Sequence, residues 1–120
     1  MDEKVFHVGG VELWVDNRSL GEDGGPTVRV FGRADGENIQ LLRFDCFRKN
    51  PHYHYDPSGK NDHRTLDKET VPDSIAWTIE QLGKHLAEMI NTAGYTSVAD
   101  QVDQAAVKEI LPEVESLMRG

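Results

Sequence analysis

Apolar and polar residues alternate along the first half of the chain, which is the spacing of a β-strand with one buried face. Val11, Leu13 and Val15 place three apolar side chains on the same face of one strand. The run 5–8 has a similar composition, and Gly9-Gly10 joins the two runs as a two-residue glycine turn. The sequence therefore predicts a β-hairpin at the start of the chain.

A longer apolar run follows at 39–47, and its apolar residues fall on both faces of an extended chain. That pattern is typical of a strand in the middle of a sheet. Strict alternation places five side chains of this run on one face: Ile39, Leu41, Arg43, Asp45 and Phe47. Asp35-Gly36 predicts a tight turn before the run, and the acidic, glycine-rich segment 17–25 predicts a loop. With a strand at 27–31 before this turn and a possible fifth strand at 52–56, residues 1–56 are predicted to form an antiparallel meander of four or five strands.

The second half of the chain changes to helical spacing. Residues 57–71 are rich in small polar and charged residues and predict an exposed loop. Asp73 or Ser74 supplies an N-cap. Apolar residues then recur every three or four positions, at Ile75, Ile79, Leu82, Leu86, Met89 and Ala93. Gly94 predicts the end of this helix.

A second helix is predicted to begin at Thr96 or Ser97, with Asp100 in capping position. Pro112 lies within its apolar stripe. Because proline lacks a backbone N–H and its ring clashes with the preceding turn, a kink or interruption is expected there.

Chain length and composition fit one globular domain. The 120 residues are 38% hydrophobic and 28% charged. We predict a single domain of class α+β over residues 1–120, in which the meander at 1–56 is followed by a helical pair at 72–120 that packs on one face of the sheet. The sequence lacks both an apolar run of bilayer length and a signal peptide at its N-terminus, and its one cysteine, Cys46, predicts a buried thiol. These features favour the cytoplasm, with no membrane partner.

Charge is unevenly distributed along this acidic chain. The formal net charge is −8, yet residues 29–64 hold seven basic and five acidic side chains. The acidic remainder would repel a nucleic-acid backbone, so DNA is not an expected partner. The net-positive segment is where an anion would bind.

A histidine-rich run lies in that net-positive segment. In an extended chain, its His52, His54 and Asp56 point to one side and the intervening tyrosines to the other. With His63 or Asp62 from the following loop, these side chains could hold a first-row transition metal, which takes three or four such ligands. A divalent metal ion is the one cofactor that the sequence suggests.

The same segment also suits metal-free acid–base chemistry. A neutral histidine can take a proton from a ribose 2′-hydroxyl, and a protonated one can give a proton to the leaving oxygen. His52 and His54 would form this pair, and Arg48, Lys49 or Arg64 would hold the phosphate and stabilise the transition state. RNA, bound through residues 43–64, is the partner that this interpretation predicts.

Several features of residues 38–90 occur together: a strand ending in Arg43-Phe44-Asp45, then Pro51-His52-Tyr53-His54, then His63-Arg64 shortly before a helix. This pattern resembles the TumE-like family of small bacterial toxins. The resemblance implies a compact α+β toxin that acts on RNA and is held inactive by an antitoxin. It also implies a polar cluster at Asp45, His52, His54 and His63. The chain departs from the family in its second cluster, where His63 stands alone, and in its long acidic helical pair.

A non-enzymatic role remains open as well. Histidine and tyrosine rings can serve as structural residues near strand ends, where they cover the edge of the core and keep their polar atoms in water. The protein would then be an interaction module or a homodimer that pairs through a helix face or an exposed edge strand. Trp14 and Trp77 lie off the main apolar faces, and an exposed tryptophan would favour a protein partner.

Overall fold

The computed structural model describes residues 2–120, and within them one antiparallel sheet is followed by helices. Six strands pair in chain order: β1 (Lys4–Val8), β2 (Val11–Leu20), β3 (Asp23–Ala34), β4 (Glu37–Asp45), β5 (His52–Tyr55) and β6 (Asp62–Thr65). The helices are α1 (Ser74–Lys84), α2 (Leu86–Thr92), α3 (Thr96–Ala99) and α4 (Gln104–Arg119). The predicted α+β meander with C-terminal helices is confirmed, with one strand more than the largest number expected.

One face of the sheet packs against the helices and forms the core. The register aligns Val15, Val28 and Phe44 side by side across β2, β3 and β4, and each is at most 1% exposed. The helices contribute fully buried side chains to the same cluster: Leu82, Leu86, Ile90, Val107 and Val114. Because buried apolar surface contributes roughly 25 cal/mol per Å², this contact is the main force that holds the helices on the sheet. The opposite side of the sheet is called the open face below.

A β-bulge in β4 determines which side chains reach the open face. The pairing of β3 with β4 skips Leu41, which is therefore an extra residue in its strand. Leu41 and Leu42 both lie in the core cluster as a result. The alternation of faces changes at this point. Arg43 and Asp45 therefore lie on the open face, whereas Ile39 and Leu41 lie on the core face. The prediction that these residues share a face is wrong, because strict alternation does not allow for the bulge.

Two segments predicted as loops are paired strands. Residues 17–20 and 23–25 extend the β2–β3 hairpin, and Gly21 supplies the turn between them with a φ of 61°. Residues 62–65 form β6 inside the predicted loop 57–71. The residues of β6 are polar and exposed, so they carry no apolar alternation by which a sequence pattern could identify the strand.

The helix predicted from residue 74 to residue 93 consists of two helices. Asp73 is its N-cap, as expected, and accepts a hydrogen bond from the Ala76 amide at 3.0 Å. Gly94 follows the last turn with a φ of 103°, which fits the predicted helix end. The break lies at His85, where the packing partner changes: α1 packs against α4, whereas α2 packs against α3, β4 and β5. A continuous apolar stripe does not reveal such a break.

The last helix begins later than predicted and is not interrupted. At the predicted start only the short α3 forms, and Asp103 caps α4 by accepting a hydrogen bond from the Ala106 amide at 3.1 Å. Pro112 lies inside α4, so an interruption there is wrong, whereas the alternative of a kink stays a prediction. Val107 and Val114, on either side of the proline, are fully buried. Packing in the core therefore holds the helix together although one backbone hydrogen bond is lost.

Two single-residue expectations concern the edge of the core. Cys46 is 5% exposed, and its Sγ lies 3.3 Å from Thr78 Oγ1, which confirms the predicted buried thiol. The Trp77 ring lies 4.9 Å from that of Tyr53 and 6.2 Å from that of Phe44, so this tryptophan packs at the margin of the core.

In residues 2–120, no helix has the length and apolar character needed to cross a membrane.

Candidate functional site

Polar side chains form two rows across the open face. The first row crosses β3 to β6, each residue being the register partner of the next: Arg29, Arg43, His54 and His63. The second row crosses β3 to β5 in the same way: Thr27, Asp45 and His52. The antiparallel pairing of β4 with β5 therefore brings carboxylate, guanidinium and imidazole groups together at the middle of both rows.

Asp45 lies at the centre of this arrangement, with 2% of its side chain exposed. Its Oδ2 lies 2.9 Å from His52 Nε2 and 3.1 Å from Arg43 Nε. Its Oδ1 accepts a hydrogen bond from Thr27 Oγ1 at 3.1 Å and lies 3.5 Å from Arg18 Nη1. A buried carboxylate is costly unless it is paired and hydrogen-bonded, so these four donors stabilise its charge.

His54 is held as a neutral ring. Its Nε2 lies 3.0 Å from Arg43 Nη2, and because a guanidinium only donates, this nitrogen must accept. The hydrogen is then on Nδ1, which donates to Asn61 Oδ1 at 2.9 Å. Burial first, and then the charge of Arg43, lower the pKa of His54 from its ordinary value, which agrees with the neutral form.

His52 is buried between two oxygen acceptors. Its Nδ1 lies 2.8 Å from the backbone oxygen of Asn50, and its Nε2 lies 2.9 Å from Asp45 Oδ2. Both contacts are hydrogen bonds only when both ring nitrogens carry hydrogen. The two buried histidines therefore differ in what faces their Nε2 atoms, which is a carboxylate oxygen for His52 and a guanidinium, which only donates, for His54.

His63 completes a group of three histidines. It lies on the edge strand β6, is the register partner of His54, and is exposed. Its ring centroid is 4.5 Å from that of His52 and 4.9 Å from that of His54. One nitrogen from each of the three rings lies within 4.8 Å of the other two. Of the predicted metal ligands, the structure brings together His52, His54 and His63.

Asp56, which is predicted as a ligand from the same strand, does not join this group. It follows the end of β5 with a left-handed φ of 51°, so the alternation of the strand does not extend to its side chain. Its Oδ1 accepts a hydrogen bond from the Tyr95 hydroxyl at 2.5 Å, and its Oδ2 accepts one from the Lys60 amide at 2.9 Å. The placement of Asp56 beside the histidines is therefore wrong, and its carboxylate instead links the end of β5 to the helical layer.

The bond between Tyr95 and Asp56 predicts a change of stability at high pH. Burial, followed by the hydrogen bond and charge of Asp56, raises the pKa of Tyr95 to about 12, against about 10 in an unfolded chain. The stability that the protonated Tyr95 hydroxyl gives the folded protein is therefore complete below about pH 10. It is lost as the pH rises from about 10 to about 12, because the unfolded chain releases the phenolic proton first. In a titration followed by phenolate absorbance, Tyr95→Phe should lack the step near pH 12 that the wild type shows. If the step that Tyr95→Phe lacks lies near pH 10 instead, the pKa of Tyr95 is not raised and the prediction is contradicted.

The two arginines predicted to hold a phosphate lie elsewhere. Arg64 is the register partner of Tyr53, whose side chain packs on the core side of the sheet. Its guanidinium pairs with Asp62 at 2.8 Å and lies 5.3 Å from the ring of Tyr55. Arg48 borders a cleft between the β4–β5 connection and the start of α1, and within residues 2–120 no hydrogen bond joins it to a histidine. The predicted clamp is therefore not assembled.

Arg43 is the arginine that reaches the histidines. The sequence shows Arg43 two positions before Asp45 in the same strand, but its partner across the β4–β5 hairpin depends on the register. In the observed register Asp45 faces His52, and antiparallel pairing then places Arg43 opposite His54. A single sequence does not contain this register.

An aromatic pair continues the first row toward the other edge of the sheet. Trp14 is the register partner of Arg29, and its ring centroid lies 4.6 Å from that of Phe31. The Arg29 guanidinium lies 5.3 Å from the Trp14 ring. The tryptophan is half-buried by these neighbours, so it lies on the open face without being fully exposed.

No curated protein and no solved structure has detectable similarity to this chain. A family model described as "Domain of unknown function (DUF7700)" matches residues 5–118. The match extends from β1 to the last turn of α4, so it includes both the sheet that carries the histidine group and the helices that cover its other face. The protein therefore belongs to the DUF7700 family.

Proposed function

We propose that this domain binds one divalent transition-metal ion through a nitrogen of each of His52, His54 and His63. The observation that carries the proposal is the convergence of three ring nitrogens within 4.8 Å of one another. Imidazole nitrogen is a preferred ligand of zinc, copper, nickel and iron. Two of the three rings are buried, which fixes their positions before any ion binds.

The contacts of the two buried rings support a role as ligands. A metal-binding histidine commonly donates its other ring N–H to an oxygen, which fixes the tautomer and the orientation of the ring. Nδ1 of His52 contacts the Asn50 carbonyl and Nδ1 of His54 contacts the Asn61 amide oxygen. Both Nε2 atoms then point toward Asp45 Oδ2, at 2.9 Å and 3.6 Å. The buried carboxylate adds negative charge where a cation would bind.

The third ligand determines the character of the site. His63 is exposed on the short edge strand β6, so the ion would lie at the surface of the open face. Three protein ligands leave a fourth position of a tetrahedral ion free for water or a substrate atom. Metal–nitrogen bonds are about 2.0–2.1 Å long, and His63, as the exposed member, is the ring that can adjust most freely to an ion.

Zinc titration of protein purified without a histidine tag tests the proposal. We expect binding of one equivalent, and at a free zinc concentration of 100 times Kd the free energy of unfolding should rise by about 2.7 kcal/mol. His63→Ala removes a ligand from an exposed position, so the fold should persist while affinity falls by more than the roughly 10- to 100-fold that outer contacts of a metal site contribute. Isothermal titration calorimetry and urea denaturation measure the two effects.

His7→Ala is the matched control, because His7 is also an exposed histidine on a strand and contacts only Glu12, at 3.3 Å, among charged partners in residues 2–120. Its zinc affinity should equal that of the wild type. Equal losses in His7→Ala and His63→Ala, or no saturable zinc binding by the wild type, would overturn the proposal.

RNA cleavage stays a prediction with less support. It assigns the phosphate to Arg48, Lys49 or Arg64, and among residues 2–120 no hydrogen bond joins any of these side chains to a histidine. His52 and His54 are 7% and 5% exposed, and both ring nitrogens of each contact protein atoms. Arg43 would have to replace the predicted clamp. The toxin role and the homodimer likewise stay predictions.

A further inference from the structure

The guanidinium of Arg43 lies among the same atoms that would surround a bound ion. Its Nη2 is 3.0 Å from Nε2 of His54, and its Nε is 3.1 Å from Oδ2 of Asp45. The first contact uses the lone pair that His54 would give to a metal. The second neutralises the carboxylate that would attract the ion.

A guanidinium and a metal ion cannot both use that lone pair. Arginine keeps its charge and has no acceptor atom, so it cannot become a ligand itself. Two cations within a few ångströms also repel each other, and the repulsion is strongest where water is excluded. A metal ion can therefore bind His54 Nε2 only if the arginine side chain moves away.

We infer that Arg43 is a displaceable cation that occupies the metal site of the ion-free protein and lowers its affinity for metal. The inference rests on the proposed function, since it concerns the same histidines. The guanidinium compensates Asp45 and His54 in the absence of the ion, and the ion takes over both roles when it binds.

The surroundings of Arg43 allow this exchange. Its side chain is 22% exposed and lies on the open face, which the helices do not cover, so it can turn toward solvent without disturbing the core. Asp45 keeps its contacts with Thr27 and with Arg18 after the exchange. The carboxylate is therefore not left without donors when Arg43 departs.

Substitution of Arg43 separates this role from a purely structural one. Arg43→Gln removes the competing charge, and we expect zinc affinity to rise about 10-fold or more, within the range by which outer contacts change metal affinity. The ion-free variant should unfold at a lower temperature than the wild type, because Asp45 and His54 lose a partner. The zinc-saturated variant should not. Competition with a chromophoric chelator measures the affinity, and thermal unfolding measures the second effect.

Arg29→Gln is the matched control. Arg29 lies beside Arg43 in the first row and pairs with Glu3 and Asp16 rather than with a histidine. Its removal changes net charge by the same amount, so a general electrostatic effect would appear in both variants. We expect the affinity of Arg29→Gln to stay within a factor of about two of the wild type. An equal gain in both variants would overturn the inference.

The wild-type protein provides a second readout that does not depend on the folding of a variant. The Nε–H of Arg43 is bonded to a buried carboxylate and should give a protected signal in a proton–nitrogen NMR spectrum. Zinc saturation should remove this signal, assigned through its correlations with the other Arg43 side-chain atoms, or shift it to the position of a solvent-exposed arginine. Persistence of the signal in zinc-saturated protein would overturn the inference.

The outcomes distinguish the two proposals. If the wild type binds zinc and Arg43→Gln binds it no more tightly, the inference fails and the metal site stands. If neither protein binds zinc, both proposals fail. If only Arg43→Gln binds zinc, the proposed function of the wild-type protein fails, whereas the competition between Arg43 and the ion is supported.

Discussion

Replacing Asp45 with alanine is expected to lower the free energy of unfolding by about 3–5 kcal/mol, the usual loss when one partner of a buried charge pair is removed. The carboxylate is 2% exposed and contacts His52 and Arg43 at 2.9 Å and 3.1 Å. Without it, these two groups and the Thr27 hydroxyl lose an acceptor in a place that water reaches poorly. Urea denaturation in the presence of a chelator measures the loss for metal-free protein.

Asp16→Ala is the control for this prediction. Asp16 also lies on the open face and pairs with an arginine, Arg29, at 3.3 Å. Its side chain is 19% exposed, and Arg29 keeps Glu3 as a second partner. Because Asp16 is more exposed than Asp45 and has one arginine partner where Asp45 has two, its removal is expected to cost less stability than the removal of Asp45. Asp45→Asn, which keeps the shape and one acceptor oxygen, should lie between the two alanine variants. Similar losses in Asp16→Ala and Asp45→Ala would contradict the central role of Asp45.

Local chemistry explains the parts of the fold that could be predicted from the sequence. Gly9-Gly10 and Asp35-Gly36 are turns whose four residues all have positive φ angles, between 52° and 85°, and few other residue pairs tolerate that conformation. Asp73 and Gly94 mark helix ends for equally local reasons, since each satisfies backbone groups within one turn. A single sequence contains this information because each signal involves neighbours in the chain.

The errors arise where distant parts of the chain decide the structure. Leu41 is a bulge residue because of how β4 pairs with β3, and that pairing changes the face on which Arg43 lies. Residues 62–65 become a strand because β5 presents an edge to pair with, although their own side chains are exposed. The break at His85 follows from the helices having different packing partners. Periodicity within one element does not contain these relationships.

In the candidate site, too, local signals were predicted correctly and arrangements that depend on strand pairing were not. That His52 and His54 point to one side follows from strand alternation, and this part of the prediction agrees with their common contact, Asp45. The same rule predicts Asp56 on the side of the histidines, but β5 ends at Tyr55, so alternation does not apply to Asp56. Arg64 lies on the other side of the sheet because β6 pairs with β5 in a register that puts His63, and not its neighbour, beside His54. Choosing the arginine that contacts the histidines required the register of two hairpins.

Substitution at Gly10 is expected to have the second large effect, because the β1–β2 turn packs against the start of α4. The Asp103 amide donates a hydrogen bond to the Gly9 carbonyl at 3.0 Å. A Cβ atom at Gly10 would lie 2.8 Å from the backbone oxygen of Gln101. Alanine therefore meets two penalties, the left-handed φ of 85° and a backbone clash. We expect Gly10→Ala to lower the free energy of unfolding by about 2–4 kcal/mol, with roughly 1–2 kcal/mol from the backbone conformation alone.

Gly36→Ala separates the two penalties. Gly36 has a similar φ of 77° in the β3–β4 turn, and no atom lies within 4 Å of the position of its Cβ. Its substitution should cost only the conformational part, about 1–2 kcal/mol. Urea denaturation of both variants, compared at equal m-values, gives the difference as the energy of the close approach between the turn and the α3–α4 connection. If the two variants lose the same stability, the contact with the helices does not need glycine at position 10, and Gly10 serves only the hairpin that the sequence pattern predicts.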